Sequence, residues 1–341
     1  MKKRAQSQEL KAKKRAQSQE LKAKKHATRR DPEPGPRRAL QSHVGQFTGV
    51  IVEAQKPSYT VTYGDQFLRC DVDEEILPTD GASPVVGDRV TFDIEDGRGI
   101  VRHVLPRVSQ LVRMRADSTR RSAFAQEAHV LAANVDVAVI VAATVSPPFR
   151  PRLIDRYLVM CRYGKVAPIV CMNKCDLVTV PPDLRLYQQM NIPVVYASAS
   201  TGQGIADLRI LLQGKYAVLT GHSGVGKSSL INALLGSQVQ AVREVGRKFG
   251  RGRHTTTTSS LHRLDAQTYL IDTPGVRALG LWKIDRETLL LYFPEFEQYE
   301  TECKFRNCIH INEPECGVKA AVARGEIATV WYDSYLRMAN E

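Results

Sequence analysis

Residues 221–228 read Gly-His-Ser-Gly-Val-Gly-Lys-Ser, a full match to G-x-x-x-x-G-K-[S/T]. The motif follows the apolar run Tyr216–Thr220 and opens the amphipathic stretch Lys227–Leu235. A glycine-rich turn between a buried strand and a helix gathers backbone N–H groups at a helix N-terminus, where negative charge is favoured. That combination demands a parallel α/β sheet and predicts a phosphate cradle built from Gly221, Ser223, Gly224, Val225, Gly226, Lys227, Ser228 and Ser229. Lys227 is expected to reach the β- and γ-phosphates, and the Ser228 hydroxyl to hold Mg²⁺.

The base is specified elsewhere. Asn173-Lys174-Cys175-Asp176 follows the apolar run Ala167–Met172. A carboxylate in the base plane accepts from both N1–H and the 2-amino group of guanine. Adenine lacks that amino group and carries an acceptor at N1, so the same carboxylate would be left unpaired at a high cost. Asn173, Lys174 and Asp176 therefore point to GTP and against ATP, with the Ser198–Ala199 backbone expected at the guanine O6. Asp272-Thr-Pro-Gly275 ends a further apolar strand, 44 residues after Ser228. Asp272 is expected to hold Mg²⁺ through water and the Gly275 amide to sense the γ-phosphate. Between them the Gly- and Arg-rich stretch 246–253 leads into Thr255–Thr258, and Thr256 is the favoured last Mg²⁺ ligand.

Base-reading elements at 173 and 198 thus precede the phosphate loop at 221 and the DTPG at 272, the reverse of the usual GTPase order. A parallel sheet is held by packing, so its connections can be rewired if the ends lie close. The prediction is a circularly permuted GTPase domain whose DTPG switch leads straight into the C-terminal segment. The position after the DTPG glycine, where a water-orienting Gln is expected, is Val276. His254, before the threonine run, is the first candidate for that task and His222 the second; a solvent-facing loop histidine is the plain alternative for either.

Around this core the pattern changes twice. Phe47–Val52, Ser58–Tyr63, Phe67–Val72, Arg89–Ile94 and Gly99–Leu105 are short β-type runs, five strands that suit a small OB-type barrel. Val135–Val145, Ala167–Met172, Pro193–Ala197, Tyr216–Thr220 and Thr268–Ile271 read as buried parallel strands, with Ile154–Tyr163, Ile205–Leu212 and Lys227–Leu235 as helices. Near the C-terminus Cys303, Cys308, His310 and Cys316 form Cys-x4-Cys-x-His-x5-Cys. Three thiolates and an imidazole are a tetrahedral structural zinc set with no open position for chemistry. Cys70, Cys161, Cys171 and Cys175 are expected as core or loop thiols. A single final helix is expected over Val318–Arg337. The resulting division is an arm and linker at 1–43, a barrel at 44–110, a permuted GTPase domain at 111–285, and a zinc-binding domain with helices at 286–341.

The net charge of +12 sits in the arm: residues 1–43 hold 14 Lys/Arg against 4 Asp/Glu, and the remainder 34 against 32. Lys2–Ala12 recurs unchanged as Lys13–Ala23, and each copy offers only one Leu and two Ala as apolar groups. Such a segment is expected to stay solvated or to fold on a polyanion. It is either a phosphate-binding arm with strong salt dependence or a solvated tail without a specific partner. The longest mostly apolar run, Val137–Val145, is nine residues, short of the roughly 20 needed to span a membrane. With no apolar block after the basic start, a secretory signal is not expected, and the odd total of seven cysteines suits a reducing cytoplasm.

In this order, the barrel, the permuted motifs and the zinc cluster resemble the RsgA (YjeQ/YloQ) family of small ribosomal subunit biogenesis GTPases. The similarity spans about residues 44–340. It includes Arg107-Val-Ser-Gln-Leu-Val-Arg113, Ala133-Asn134-Val135-Asp136, Ile154-Asp155-Arg156-Tyr157-Leu158, GHSGVGKSSLIN, GRGRHTTTT, DTPGVR and the Cys/His cluster. The departures are His222 within the phosphate loop and the duplicated arm. The resemblance implies late assembly of the 30S subunit and weak intrinsic GTP hydrolysis stimulated by that subunit. It also implies contacts to 16S rRNA from the barrel and zinc domains, and His254 as the catalytic residue. A cytoplasmic monomer that cycles between GTP and GDP is expected. The rival expectation is a nucleotide-gated rRNA-binding module in which hydrolysis only resets occupancy.

Overall fold

The computed structural model describes residues 45–55, 57–64, 66–72, 83–114, 128–236, 259–272 and 286–341. The basic arm, His254, Thr256 and Gly275 lie outside the described residues. The first five runs form β1 (Phe47–Gln55), β2 (Ser58–Tyr63), β3 (Gln66–Val72), β4 (Arg89–Glu95) and β5 (Arg98–Val104). They pair in the order β1-β2-β3-β5-β4, and β4 returns to β1, closing a five-stranded barrel. Alternate residues point inward, so Ile51, Tyr59, Val61, Cys70, Val90, Phe92 and Val101 make its core. The β1–β2 register shifts between Ile51 and Glu53, and the pairing then continues to Gln55↔Ser58.

Next come β6 (Gln110–Met114) and β7 (Ala128–Ala133), a two-stranded antiparallel sheet that the sequence reading did not anticipate. Then follow β8 (Val137–Ala143), α1 (Pro151–Tyr163), β9 (Ala167–Asn173), α2 (Arg185–Gln189), β10 (Val194–Tyr196) and α3 (Ile205–Leu212). β11 (Tyr216–Thr220), α4 (Lys227–Leu235), β12 (Ser259–Arg263) and β13 (Tyr269–Asp272) complete the domain. β10-β9-β8-β11-β13 are parallel, and β12 runs antiparallel on β13. β12 also pairs with the C-terminal end of β1, at Glu53↔Ser260, so the barrel and the parallel sheet share one hydrogen-bonded ladder.

The central strands are apolar on both faces because both are covered. Val137, Val139 and Val141 of β8 pack with Leu208 and Leu212 of α3 and Leu230 and Leu234 of α4. Ala138 and Ile140 turn the other way, toward Ile154 and Leu158 of α1 and Tyr187 of α2. That second cluster runs on into the C-terminal segment, through Phe293, Phe296, Trp331 and Tyr335. There α5 (Arg286–Leu290) and a 3₁₀ stretch, Pro294–Glu302, lead to the Cys/His loops, α6 (Gly317–Ala323) and α7 (Thr329–Ala339).

The single helix expected over Val318–Arg337 is therefore two helices. Gly325 takes φ +77° just past the end of α6. Its N–H donates to the Val322 carbonyl and the Glu326 N–H to the Ala321 carbonyl, both at 3.0 Å, a left-handed cap that ends the helix. The four cysteines assigned to core or loop are all buried, and burial pushes the thiols of Cys70, Cys161 and Cys171 up to about 12. Among the described residues no helix is long and apolar enough to cross a membrane.

The joint between barrel and parallel sheet is polar. Asp88 is fully buried and accepts from Arg107 at both oxygens, 2.8 and 2.9 Å, and from the Val85 N–H at 2.8 Å. Asn134 donates to the Gly87 carbonyl at 2.9 Å and accepts from the Val108 N–H at 3.1 Å. Removing one partner of a buried ion pair strands the other charge, at a cost of about 3–5 kcal/mol. Arg107→Ala is expected to lose about that much stability in a denaturant titration, and Arg107→Lys to recover only part of it because it cannot bind both oxygens.

Candidate functional site

At the C-terminal ends of β9, β11 and β13 the sequence motifs converge. Gly221, Gly224 and Gly226 all take positive φ (139°, 83° and 94°), which turns the loop from β11 into the N-terminus of α4. At Gly226 the space is also needed, since a Cβ there would lie 2.3 Å from the Asn173 Nδ2. Val225 is buried and its carbonyl accepts from Asn173 Nδ2 at 2.9 Å, while Asn173 Oδ1 accepts from the Ala199 N–H at 3.1 Å. One buried amide thus ties the phosphate loop to the 198–200 loop. Lys174, itself at φ +64°, donates from Nζ to the Gly224 carbonyl at 2.8 Å and also to the Ser146 carbonyl.

The Lys227 ammonium caps the loop from inside, donating to the carbonyls of Gly221 at 2.6 Å and His222 at 2.8 Å. Ser228 and Ser229 occupy the exposed first turn of α4, and Ser223 the exposed crest of the loop. His222 is exposed as well; its Nδ1 lies 2.9 Å from the Ser223 carbonyl oxygen, and the residue lines an apolar cleft with Pro147, Phe149 and Tyr157. Asp272 ends β13, the strand parallel to β11, so its backbone lies one strand away from the loop's origin.

Asp176 sits in the turn Cys175–Leu177 with its carboxylate exposed. Hydrogen bonds from the Ser198 and Ser200 hydroxyls hold its carboxyl below the usual carboxylate range. Thr144 was missed from sequence: this buried residue directly follows β8 and donates from its hydroxyl to the Lys174 carbonyl at 2.7 Å. Nothing in the run Val137–Val145 marks it as more than the polar end of a strand.

The second cluster lies in the C-terminal segment. The ligand atoms of Cys303, Cys308, His310 and Cys316 fall within 4.8 Å of one another. Zinc bonds of about 2.3 Å to sulfur and about 2.0–2.1 Å to nitrogen give tetrahedral edges of about 3.8 Å between sulfurs and about 3.5–3.6 Å from nitrogen to sulfur. The Cys303 and Cys316 sulfurs are 3.9 Å apart, and His310 Nδ1 lies 3.6 and 3.4 Å from them. Nδ1 is therefore the nitrogen aimed at a metal. The other nitrogen, Nε2, is buried without a hydrogen-bond partner, 3.7 Å from a Glu300 carboxylate oxygen.

The loop that presents His310 is built on Glu313, whose carboxylate accepts the N–H groups of Ile309, Ile311 and Asn312 at 2.8–3.0 Å. Burial pushes the Cys308 thiol up to about 12, and a bound cation offsets that by holding the thiolate. Cys308→Ser is expected to abolish stoichiometric zinc in a colorimetric release assay. It should also lower the melting temperature to that of chelator-treated protein.

The sequence profile of the RsgA GTPase family matches residues 104–282. The small ribosomal subunit biogenesis GTPase RsgA of Chlorobaculum tepidum is 39% identical over 305 residues, 86% of this chain and 97% of that protein. Its counterpart in Thermotoga neapolitana is 40% identical over 263 residues, 75% of this chain and 83% of that one. Two solved structures share the fold. YjeQ from Thermotoga maritima has a TM-score of 0.65 at 31% identity, covering 86% of this chain and 97% of its own. YloQ, described as a circularly permuted GTPase, has a TM-score of 0.64 at 28% identity, covering 89% and 96%.

Proposed function

This chain belongs to the RsgA family of GTPases, and from that premise we propose that it binds the maturing small ribosomal subunit, contacts its 16S rRNA, and hydrolyses GTP in response to that contact. The observation that carries the reading is the Asn173 bridge. It joins a guanine-type motif to a phosphate loop about 50 residues later in the chain, in the order that a permuted GTPase requires. Base and phosphates of one nucleotide are then gripped by a single rigid unit.

In this reading GTP lies with its guanine against Asp176 and the Ser198–Ala199 backbone. Its phosphates lie over the N–H groups of 221–229 and displace the Lys227 ammonium from its own loop carbonyls. A magnesium ion carried with the nucleotide screens phosphate charge, and Ser228, Thr256 and Asp272 are the groups we assign to it. Water attacks the γ-phosphorus in line, the bond to the β–γ bridging oxygen breaks, and GDP and phosphate leave. Val276 has no group to orient that water, so His254 is assigned the task. With the orienting residue in the Gly-rich 246–258 stretch, intrinsic turnover is expected to be slow until the subunit brings it into place.

The Cys/His cluster is assigned one structural zinc ion, and the protein a cytoplasmic place beside its partner. The arm at 1–43, with its net +10, suits the same polyanion.

GTP turnover measured with and without purified 30S subunits, with ATP as control, tests the proposal. Slow GTP hydrolysis is expected to rise at least about tenfold with 30S, and ATP to give none. His254→Ala is expected to keep GTP and subunit binding and to lose the stimulated rate. Fast turnover without 30S, or none with it, would separate the chemistry from the ribosome.

A further inference from the structure

We propose that Ser200, which no sequence motif singles out, is a positioning residue for guanine recognition: its hydroxyl fixes the plane of the Asp176 carboxylate. The inference rests on the assignment of Asp176 to the guanine base. The Ser200 Oγ donates to Asp176 Oδ2 at 3.0 Å. Behind it stands a relay. The Thr201 N–H donates to Ser198 Oγ at 3.2 Å, and Ser198 Oγ lies 2.9 Å from Ser200 Oγ. Ser198 is fully buried, and its own N–H donates to the Gln203 carbonyl at 2.9 Å, so the inner end of the relay is anchored in the fold.

The need for such a device follows from where Asp176 sits. Its backbone belongs to a single 3₁₀ turn, and its side chain is exposed. Left alone, an exposed carboxylate samples rotations about its last torsion, which is broad and poorly restrained. To accept from N1–H and the 2-amino group together, both oxygens must lie in the base plane. A hydroxyl donating to one oxygen removes most of that rotation before the base arrives, so less order is lost on binding. The Ser198 hydroxyl reaches the same carboxyl, and of the roughly four lone-pair sites of a carboxylate two remain for the two guanine donors.

The consequence is a change in selectivity as well as affinity. GTP uses both donors, whereas ITP, whose hypoxanthine lacks the 2-amino group, uses only N1–H. A misaligned carboxylate therefore loses more of the two-point contact than of the one-point contact. Loss of a loop-stabilising hydroxyl with no role in orientation would weaken both nucleotides equally.

The test is direct calorimetric titration of GTP, ITP and XTP into the full-length protein, for the parent, Ser200→Ala, Ser200→Thr and Asp176→Asn. Ser200→Ala is expected to weaken GTP about three- to tenfold and to shrink the GTP-over-ITP preference at least about threefold. Ser200→Thr, which keeps a hydroxyl, should hold the parent preference. An unchanged GTP-over-ITP ratio in Ser200→Ala overturns the positioning role. Asp176→Asn separately examines the premise, because an amide offers N–H to the C2 carbonyl of xanthine. It should lose GTP and gain XTP. If it binds GTP like the parent, the base assignment itself is wrong, whatever Ser200→Ala does.

Discussion

Much of the candidate site hangs on the side-chain amide of Asn173. It is buried at the end of β9, donates to the Val225 carbonyl, and accepts the Ala199 N–H. An amide has both a donor and an acceptor at one end of a short, stiff chain, so it can fix two loops against each other. An apolar replacement would take the partner from the buried Val225 carbonyl, at about 1–3 kcal/mol, and from the half-buried Ala199 N–H. The tight approach of Gly226 to the same amide follows from this bridge, since any side chain there would push it off the loop. The 221–226 loop and the 198–200 loop are therefore parts of one object.

On the other side of α1 a second anchor sets where the C-terminal segment sits. Arg162 donates to the Tyr292 carbonyl at 2.7 Å and to Glu295, and its guanidinium lies 5.5 Å over the Trp331 ring. The Trp331 Nε1–H donates to the same Glu295 at 3.2 Å. About two turns earlier, buried Asp155 accepts from the Tyr187 hydroxyl at 2.9 Å and from Ser334 of α7. Burial pushes its carboxyl up, against the opposing pull of those two hydroxyls. The Cys/His module is thus clamped to the helix that follows β8, besides being the continuation of the chain beyond β13. Because α1 also lines the cleft beside the 221–226 loop, that loop and the Cys/His module share one rigid element.

Legibility in the sequence followed the strength of the local pattern. The barrel strands and the parallel strands were visible because burial on one or two faces imposes alternation or continuous apolar runs. β6 and β7 were not, since Gln110–Met114 is short and mixed, and Ala128–Ala133 merges with the run that becomes β8. Asn134, at φ +51°, is what separates them. The α6–α7 break had a signal in Gly325, but helical apolar spacing continues across it through Ile327 and Trp331, and periodicity outweighed one glycine. Thr144, Asp155 and Ser200 are polar residues in ordinary surroundings, and only their partners make them notable.

Residue types at close spacing determined the chemistry. The Gly-rich turn with its lysine and serine is the pattern of a phosphate cradle, Asn-Lys-x-Asp that of guanine recognition, and three cysteines with a histidine that of a tetrahedral metal site. Each depends on a few atoms brought together by local backbone geometry, so the linear text carries them. Tertiary structure decided what distance along the chain hides. It set Asn173 against Val225, aimed Nδ1 of His310 at the sulfurs, turned the Ser200 hydroxyl onto Asp176, and seated Asp155 between Tyr187 and Ser334. Those pairings depend on which faces of the sheet and helices meet, and packing of the whole chain fixes that.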